Sequence, residues 1–572
     1  MAFNEIPIDT LKRKIDEVKR FLSISLSISN AHTVDFYTRD VCSTFMCVSP
    51  EEVLCALSST QDRMGAIEEK ENTTFGFCNV SKKLDISALL RVAKAHCLPG
   101  LGVCMQLEDL MQNLRWRTGD IIAGESSDKV VAPDEFMNCK KAHEVQAMSE
   151  VVASLAKCCQ VKQVIDVGSG KGYLCSYLSV RFNLQVFGID SSSTDTHGAQ
   201  ERNRKLKKFS KAYQNTPNKA SRNDGIKNFI TEKKESFEAR ADTSALSKQV
   251  TNDLSASNNA AECPLDLNDS DSGCSFLSRL SLDVIEDVSP RVHPSQLSLE
   301  ERKRKRENLE RKAREGSRNI RDDSQFSPLT SYVTAETELK MLITELEDAV
   351  LVGLHTCGDL APSTLRIFRA KQELRAVCSV GCCYHLLSEE FDLDRQRCVD
   401  GVCGFPMSQY LKAQACFCGR MPGCQHALER VSAGGGLPME SLFYRAVLHV
   451  ILRDHYDCSE SEKRVGKVYS KALSFVDYVR QTLRKLDLDD TKLSDGDIQS
   501  YHKHYIPRMN EMVAFNMLKV ILAPCIEGLI LLDRLCYLKE QDNVSHSALV
   551  QLFDPLQSPR CYAVVGVKES TV

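Results

Sequence analysis

Apolar positions change period along the chain. Up to about residue 135 they recur at helical spacing: Leu11, Ile15, Val18, Phe21 and Leu22, then Ile86, Leu89, Leu90 and Val92. Ser49-Pro50 followed by Glu51 and Glu52 reads as a helix start. A helical domain over 1–135 is therefore expected, without evident chemistry of its own. From residue 136 the pattern turns to short β-type runs, QVIDVG, LQVFGID, SYVTAE, AVLVGLHT and LRAVCSVGCC. Amphipathic segments separate them, the signature of a parallel sheet with crossover helices. LVQLFDP and RCYAVVGVK, joined by Leu556-Gln557-Ser558-Pro559, predict a closing antiparallel hairpin. The expected class is α/β, a doubly wound sheet with a terminal hairpin, interrupted by insertions.

Residues 207–327 are rich in Ser, Asn, Asp, Lys and Arg without an apolar period, so a disordered insert is expected there. The core then falls into 136–206 and 328–400. A Cys-containing and helical insertion follows over 401–520, and a last helix and hairpin over 521–572. Composition adds bounds. With 42% hydrophobic residues but only 7% aromatics and one Trp, the chain can fill a large core but not along its whole length. A net charge of −4 leaves no global polyanion-binding surface. The local run Arg302-Lys303-Arg304-Lys305-Arg306 reads as a nuclear-import or nucleic-acid arm, or as a solvated charged segment. No membrane-spanning helix is expected, and the charged N-terminus lacks a signal peptide's apolar core. An intracellular protein, in cytoplasm or nucleus, is the expectation, and its 25 cysteines should then be reduced.

VIDVGSGKGYLCSYLSVRF is the most informative segment. A buried strand runs into Gly168-Ser169-Gly170-Lys171-Gly172 and a helix begins near Tyr173. Glycines there let the backbone turn tightly and approach a ligand, and the helix start adds N–H donors and positive partial charge. The next strand ends at Asp190, placed to accept hydrogen bonds from a ribose diol. Dinucleotide folds space their glycines G-x-G-x-x-G. Here an acid leads and the glycines alternate strictly: Asp166, Gly168, Gly170, Gly172. This resembles motif I of class I S-adenosylmethionine-dependent methyltransferases, in which the loop lies beside the methionine end and the leading Asp orients the cofactor amine or water.

KKAHEV (140–145), VGLHTCGDLAP (352–362), SVGCCYHLLSEEF (379–391), APCIEGLILLDRLCYLKEQ (523–541) and LFDPLQSPRCYAVVGVK (552–568) extend the likeness. Together they resemble the methyltransferase-like protein 25 family. The resemblance implies a class I methyltransferase fold and S-adenosyl-L-methionine as cofactor, bound by Asp166, Gly168, Gly170, Gly172 and Asp190. Glu336, just after the third strand, is assigned to the adenine end.

The acceptor is chosen at the carboxyl ends of the fourth and fifth strands. Enzymes acting on adenine amines carry Asn/Asp-Pro-Pro-Tyr/Phe after the fourth; this chain has His355-Thr356-Cys357-Gly358-Asp359. His-x-Cys-Gly there, with Cys382-Cys383-Tyr384-His385 after the fifth, is similar to a family of tRNA 2′-O-methyltransferases. A ribose hydroxyl needs a base or an orienting charge, and His355, Asp359, His385 and Lys141 are the candidate catalytic residues. Lys141 and Glu144 lie on an expected helix, where Lys and Glu are usually solvated or paired. Cys357 with Cys382 or Cys383 also fits the thiolate chemistry of cytosine-C5 enzymes, although the usual Pro-Cys and Thr-Cys settings are missing. RNA is the preferred substrate; a protein substrate, or a scaffold that binds cofactor without catalysis, are the alternatives. Cys398 to His426 holds further cysteines but no C-x2-C knuckle, so free thiols are expected and no metal site is assigned.

Overall fold

The computed structural model describes residues 6–45, 49–59, 86–118, 137–214, 325–391, 403–414, 439–456, 468–469 and 472–569. Its centre is an eight-stranded sheet. The strands are β1 (Cys104–Gln106), β2 (Gln163–Val167), β3 (Gln185–Asp190), β4 (Phe326–Thr330), β5 (Ala349–Cys357), β6 (Leu374–Cys382), β7 (Val544–Gln551) and β8 (Tyr562–Lys568). Their order across the sheet is β1-β7-β8-β6-β5-β2-β3-β4. Only β8 runs against its neighbours, pairing antiparallel with both β6 and β7.

The central parallel strands β2, β3, β5 and β6 are buried on both faces, which is why they read as continuous apolar runs. Ile165, Val167, Leu351 and Val377 face one hydrophobic core, shared with the helices Ile8–Asn30 and Met509–Lys539. Val164, Val350, Val352 and Cys378 face the other, against the helices Cys139–Cys158 and Tyr173–Phe182. The N-terminal segment is thus continuous with the core of the sheet. It also supplies β1, a three-residue strand pairing parallel with β7, too short for any periodicity to announce.

Two further features depart from the sequence reading. The third core strand is FSPLT at 326–330, not SYVTAE at 331–336. Pro328 argues against a strand in sequence, but β4 is the sheet's outer strand, where a missing N–H costs nothing on the open side. The 31-residue helix Met509–Lys539 begins ahead of residue 521 and is long and apolar enough to cross a bilayer. Its most apolar 18-residue window is 89% buried inside the fold, as a central core helix should be. The basic run 302–306, almost all of the insert 207–327, and Cys398, Cys416, Cys418, Cys424 and His426 lie outside the described residues; Cys403, which is described, is disulfide-bonded, against the expectation of free thiols.

Candidate active site

β2 ends beneath the glycine loop. Gly168, Gly170 and Gly172 all have positive φ (74°, 52° and 68°), a region that costs other residues about 1–2 kcal/mol. Asp190, at the end of β3, fastens the loop: its Oδ2 accepts from Gly170 N–H at 2.9 Å and its Oδ1 from Ser192 N–H at 2.8 Å. The three glycines have different surroundings. A Cβ on Gly172 would meet the Phe326 ring at 2.8 Å, so this glycine exists for packing; one on Gly170 would meet nothing within 4 Å. Gly170 borders open space among the described residues. Gly172→Ala is therefore expected to cost about 2–4 kcal/mol of stability and Gly170→Ala about 1–2. Denaturant unfolding of both variants checks the order.

Asp166 is almost fully buried at the end of β2. Its Oδ2 accepts from the Cys175 thiol at 3.1 Å, and its Oδ1 has no hydrogen-bond partner. Burial raises its pKa to about 7; the Cys175 hydrogen bond opposes this, Asp190 adds to it, and Lys141 opposes it. A buried carboxyl oxygen without a protein partner is costly and calls for an explanation, such as a bound water, ion or ligand.

The second cluster forms where the helix Cys139–Cys158 crosses the end of β5. Glu144, with no exposed surface, is its hub. Its Oε2 accepts from Lys141 Nζ and from His355 Nε2, both at 2.9 Å, and its Oε1 from Ser558 Oγ at 2.8 Å. Burial alone would raise its pKa. The His355 hydrogen bond and the attraction of His355 and Lys141 outweigh this and bring it to about 2. His355 sits at a register shift of β5 with φ +68°, strained for a non-glycine, and its side chain remains one-quarter exposed. With an ionised carboxylate at Nε2, that nitrogen carries the proton in the neutral ring. Nδ1 then presents a lone pair, and no described residue bonds to it.

The remaining predicted residues separate. Asp359 precedes the helix Leu360–Ala370, and its Oδ1 accepts from Ser388 N–H at 2.9 Å, tying the loop after β6 to the end of β5. His385 is exposed on the short helix Tyr384–Leu386. Glu336 is exposed on a turn six residues beyond Thr330. Lys141 is engaged with Glu144 rather than standing alone.

A methyltransferase-domain family model matches residues 140–390, from the Glu144 helix to the loop after β6. Two relatives match almost end to end. "Probable methyltransferase-like protein 25" of Mus musculus is 46% identical over 98% of this chain and 97% of its own length. Its Homo sapiens counterpart is 45% identical, over 98% of each. The chain belongs to the methyltransferase-like protein 25 family. It is a methyltransferase, with the α/β fold of that class. No solved structure matches it.

Within this family member, the sequence reading undervalued Glu144. The signal was present: Glu144, Met148, Val151 and Leu155 fall at i, i+4, i+7 and i+11, so the acid occupies the buried stripe. Gly381, near the end of β6, is closely approached by a residue from far along the chain. A Cβ there would meet Arg534 Nη1 at 2.4 Å, and the Arg534 guanidinium is buried behind β6 over the Tyr384 ring. Arg534 lies on the mainly apolar helix Met509–Lys539, more than 150 residues from Gly381 in sequence, so no local pattern connects the two.

Proposed function

We propose that this methyltransferase transfers the methyl group of S-adenosylmethionine to a hydroxyl group of RNA. The residues suit that cofactor: the unpartnered Oδ1 of Asp166 for its amino group, the open side of Gly170 for its approach, and Asp190 for its ribose. When bound, it supplies an electrophilic methyl group on a sulfonium. The acceptor then has to be oriented and, if it is a hydroxyl, deprotonated.

The observation that carries the hydroxyl reading is the Glu144–His355 pair. Glu144 fixes the imidazole through Nε2 at the end of β5, which leaves Nδ1 as the ring nitrogen able to take a proton. An exocyclic amine needs no such base, and the Pro-Pro-aromatic element that orients one is absent. RNA is supported by the resemblance at the ends of β5 and β6 and by the basic run 302–306.

The test is purified protein with radiolabelled S-adenosylmethionine and extract from cells lacking it, separated into RNA and protein. Label should enter RNA as 2′-O-methyl nucleoside. His355→Asn should lower it about 10²- to 10⁴-fold with donor affinity unchanged. Label confined to protein would overturn the RNA assignment, and label on a base nitrogen would overturn the hydroxyl.

A further inference from the structure

Cys357, Cys382 and Cys383 bring their three Sγ atoms within 4.8 Å of one another. Cys357 and Cys382 are register partners at the ends of β5 and β6, with sulfurs 3.2 Å apart. Cys382 and Cys383 are 3.7 Å apart at sulfur. The Cys382–Cys383 distance is unusual, because consecutive residues of a strand point to opposite faces. Here Cys383 adopts the left-handed conformation (φ 48°, ψ 46°), which swings its thiol onto the same side as Cys382. Such strain in a non-glycine residue persists only where the surroundings enforce it, and it concentrates at functional sites. The cluster is not core filling either: Cys382 is buried, but Cys357 is exposed and Cys383 half-buried.

We propose that Cys357, Cys382 and Cys383 form a three-thiolate binding site for a zinc ion. Thiolates are the soft ligands zinc prefers, and with Zn–S bonds of about 2.3 Å a tetrahedral site separates its sulfurs by about 3.8 Å. The two close spacings, 3.2 and 3.7 Å, lie at or somewhat below that value, and all three sulfurs stay within 4.8 Å of one another. As three Zn–S bonds form, three S–H bonds break and three protons pass to solvent; no electron changes hands. A fourth ligand enters from the exposed side at Cys357, either water or the imidazole of His385 two residues past Cys383. A Cys357–Cys382 disulfide is the competing use of the close pair, but it leaves the turned-in Cys383 thiol without a purpose.

The test uses the full-length protein, purified reduced without chelators and assayed for zinc. Wild type should retain one zinc per chain after dialysis; Cys383→Ser and the Cys357→Ser/Cys382→Ser/Cys383→Ser variant should retain none. Circular dichroism reports whether the variants fold. Should they not, two wild-type readouts decide the matter. Cobalt(II) should give sulfur-to-metal charge-transfer absorption, and added zinc should protect Cys357 from alkylation mapped by mass spectrometry. A fully reduced protein that takes up no zinc overturns the proposal. So does zinc retained by a folded triple variant, since it then lies elsewhere, and so does alkylation of Cys357 that zinc leaves unchanged.

Discussion

Replacing Asp166 with Asn is expected to weaken S-adenosylmethionine binding while making the ligand-free protein more stable. The first effect follows from the charge: a hydrogen bond to an ionised carboxylate contributes about 1.5–3 kcal/mol, so removing the charge costs roughly 10- to 100-fold in affinity. The second follows from the folded pKa of about 7, raised from 3.8 chiefly by burial. A raised carboxyl contributes stability that is fully present below pH 3.8 and is lost as pH rises through 7. Asn copies the neutral form and suffers no such loss. Its advantage should be absent near pH 4, grow towards pH 7, and level off at a few kcal/mol above it. Affinity of the wild type for the donor should fall below about pH 7, approaching tenfold per unit, as Asp166 takes up its proton. Unfolding and calorimetric titrations over that range measure both. A variant less stable than wild type at pH 8, or wild-type binding indifferent to pH, would sink this account.

What could be read without coordinates divides along a physical line. The glycine loop, Asp190, β2, β3, β5, β6 and the terminal hairpin are local features: each is written in a short window by apolar period, turn residues or strand-end position. β1 and β4 were not legible because their strand character comes from where they lie. β4 tolerates Pro328 only as an outer strand, and β1 is three residues completed by β7. The site divides the same way. His355 was found from its place at a strand end, but its orientation depends on Glu144, 211 residues away in sequence. Asp359 was found for the same reason, yet its carboxylate holds the loop at Ser388. Strand-end position says which residues reach the carboxyl edge of the sheet; it does not say which of them are already engaged by the fold.

Glu144→Ala is expected to be the most damaging single change at the site, and Glu144→Gln should separate its two roles. Alanine leaves Ser558, Lys141 and His355 without their common partner, and breaking a buried charge cluster this way costs about 3–5 kcal/mol. Lys141 and His355 retain some exposure and can turn to water, which places the cost towards the lower end. Glutamine keeps the volume and an acceptor for Ser558, so the fold should survive. It no longer requires the proton on Nε2 of His355, however, and the ring is free to turn or change tautomer. On the proposed hydroxyl transfer, turnover should fall about 10²- to 10⁴-fold with donor affinity unchanged, because the proposed base is no longer held. Acid unfolding provides an independent reading. Glu144 is depressed from 4.5 to about 2, so its contribution is present above pH 4.5 and lost as pH falls through 2, on the order of 3 kcal/mol. The glutamine variant should lack that part of the acid limb. Were it to keep both turnover and the wild-type acid limb, Glu144 would be a bystander, and the base at the end of β5 would have to be held by something other than the helix that precedes β2.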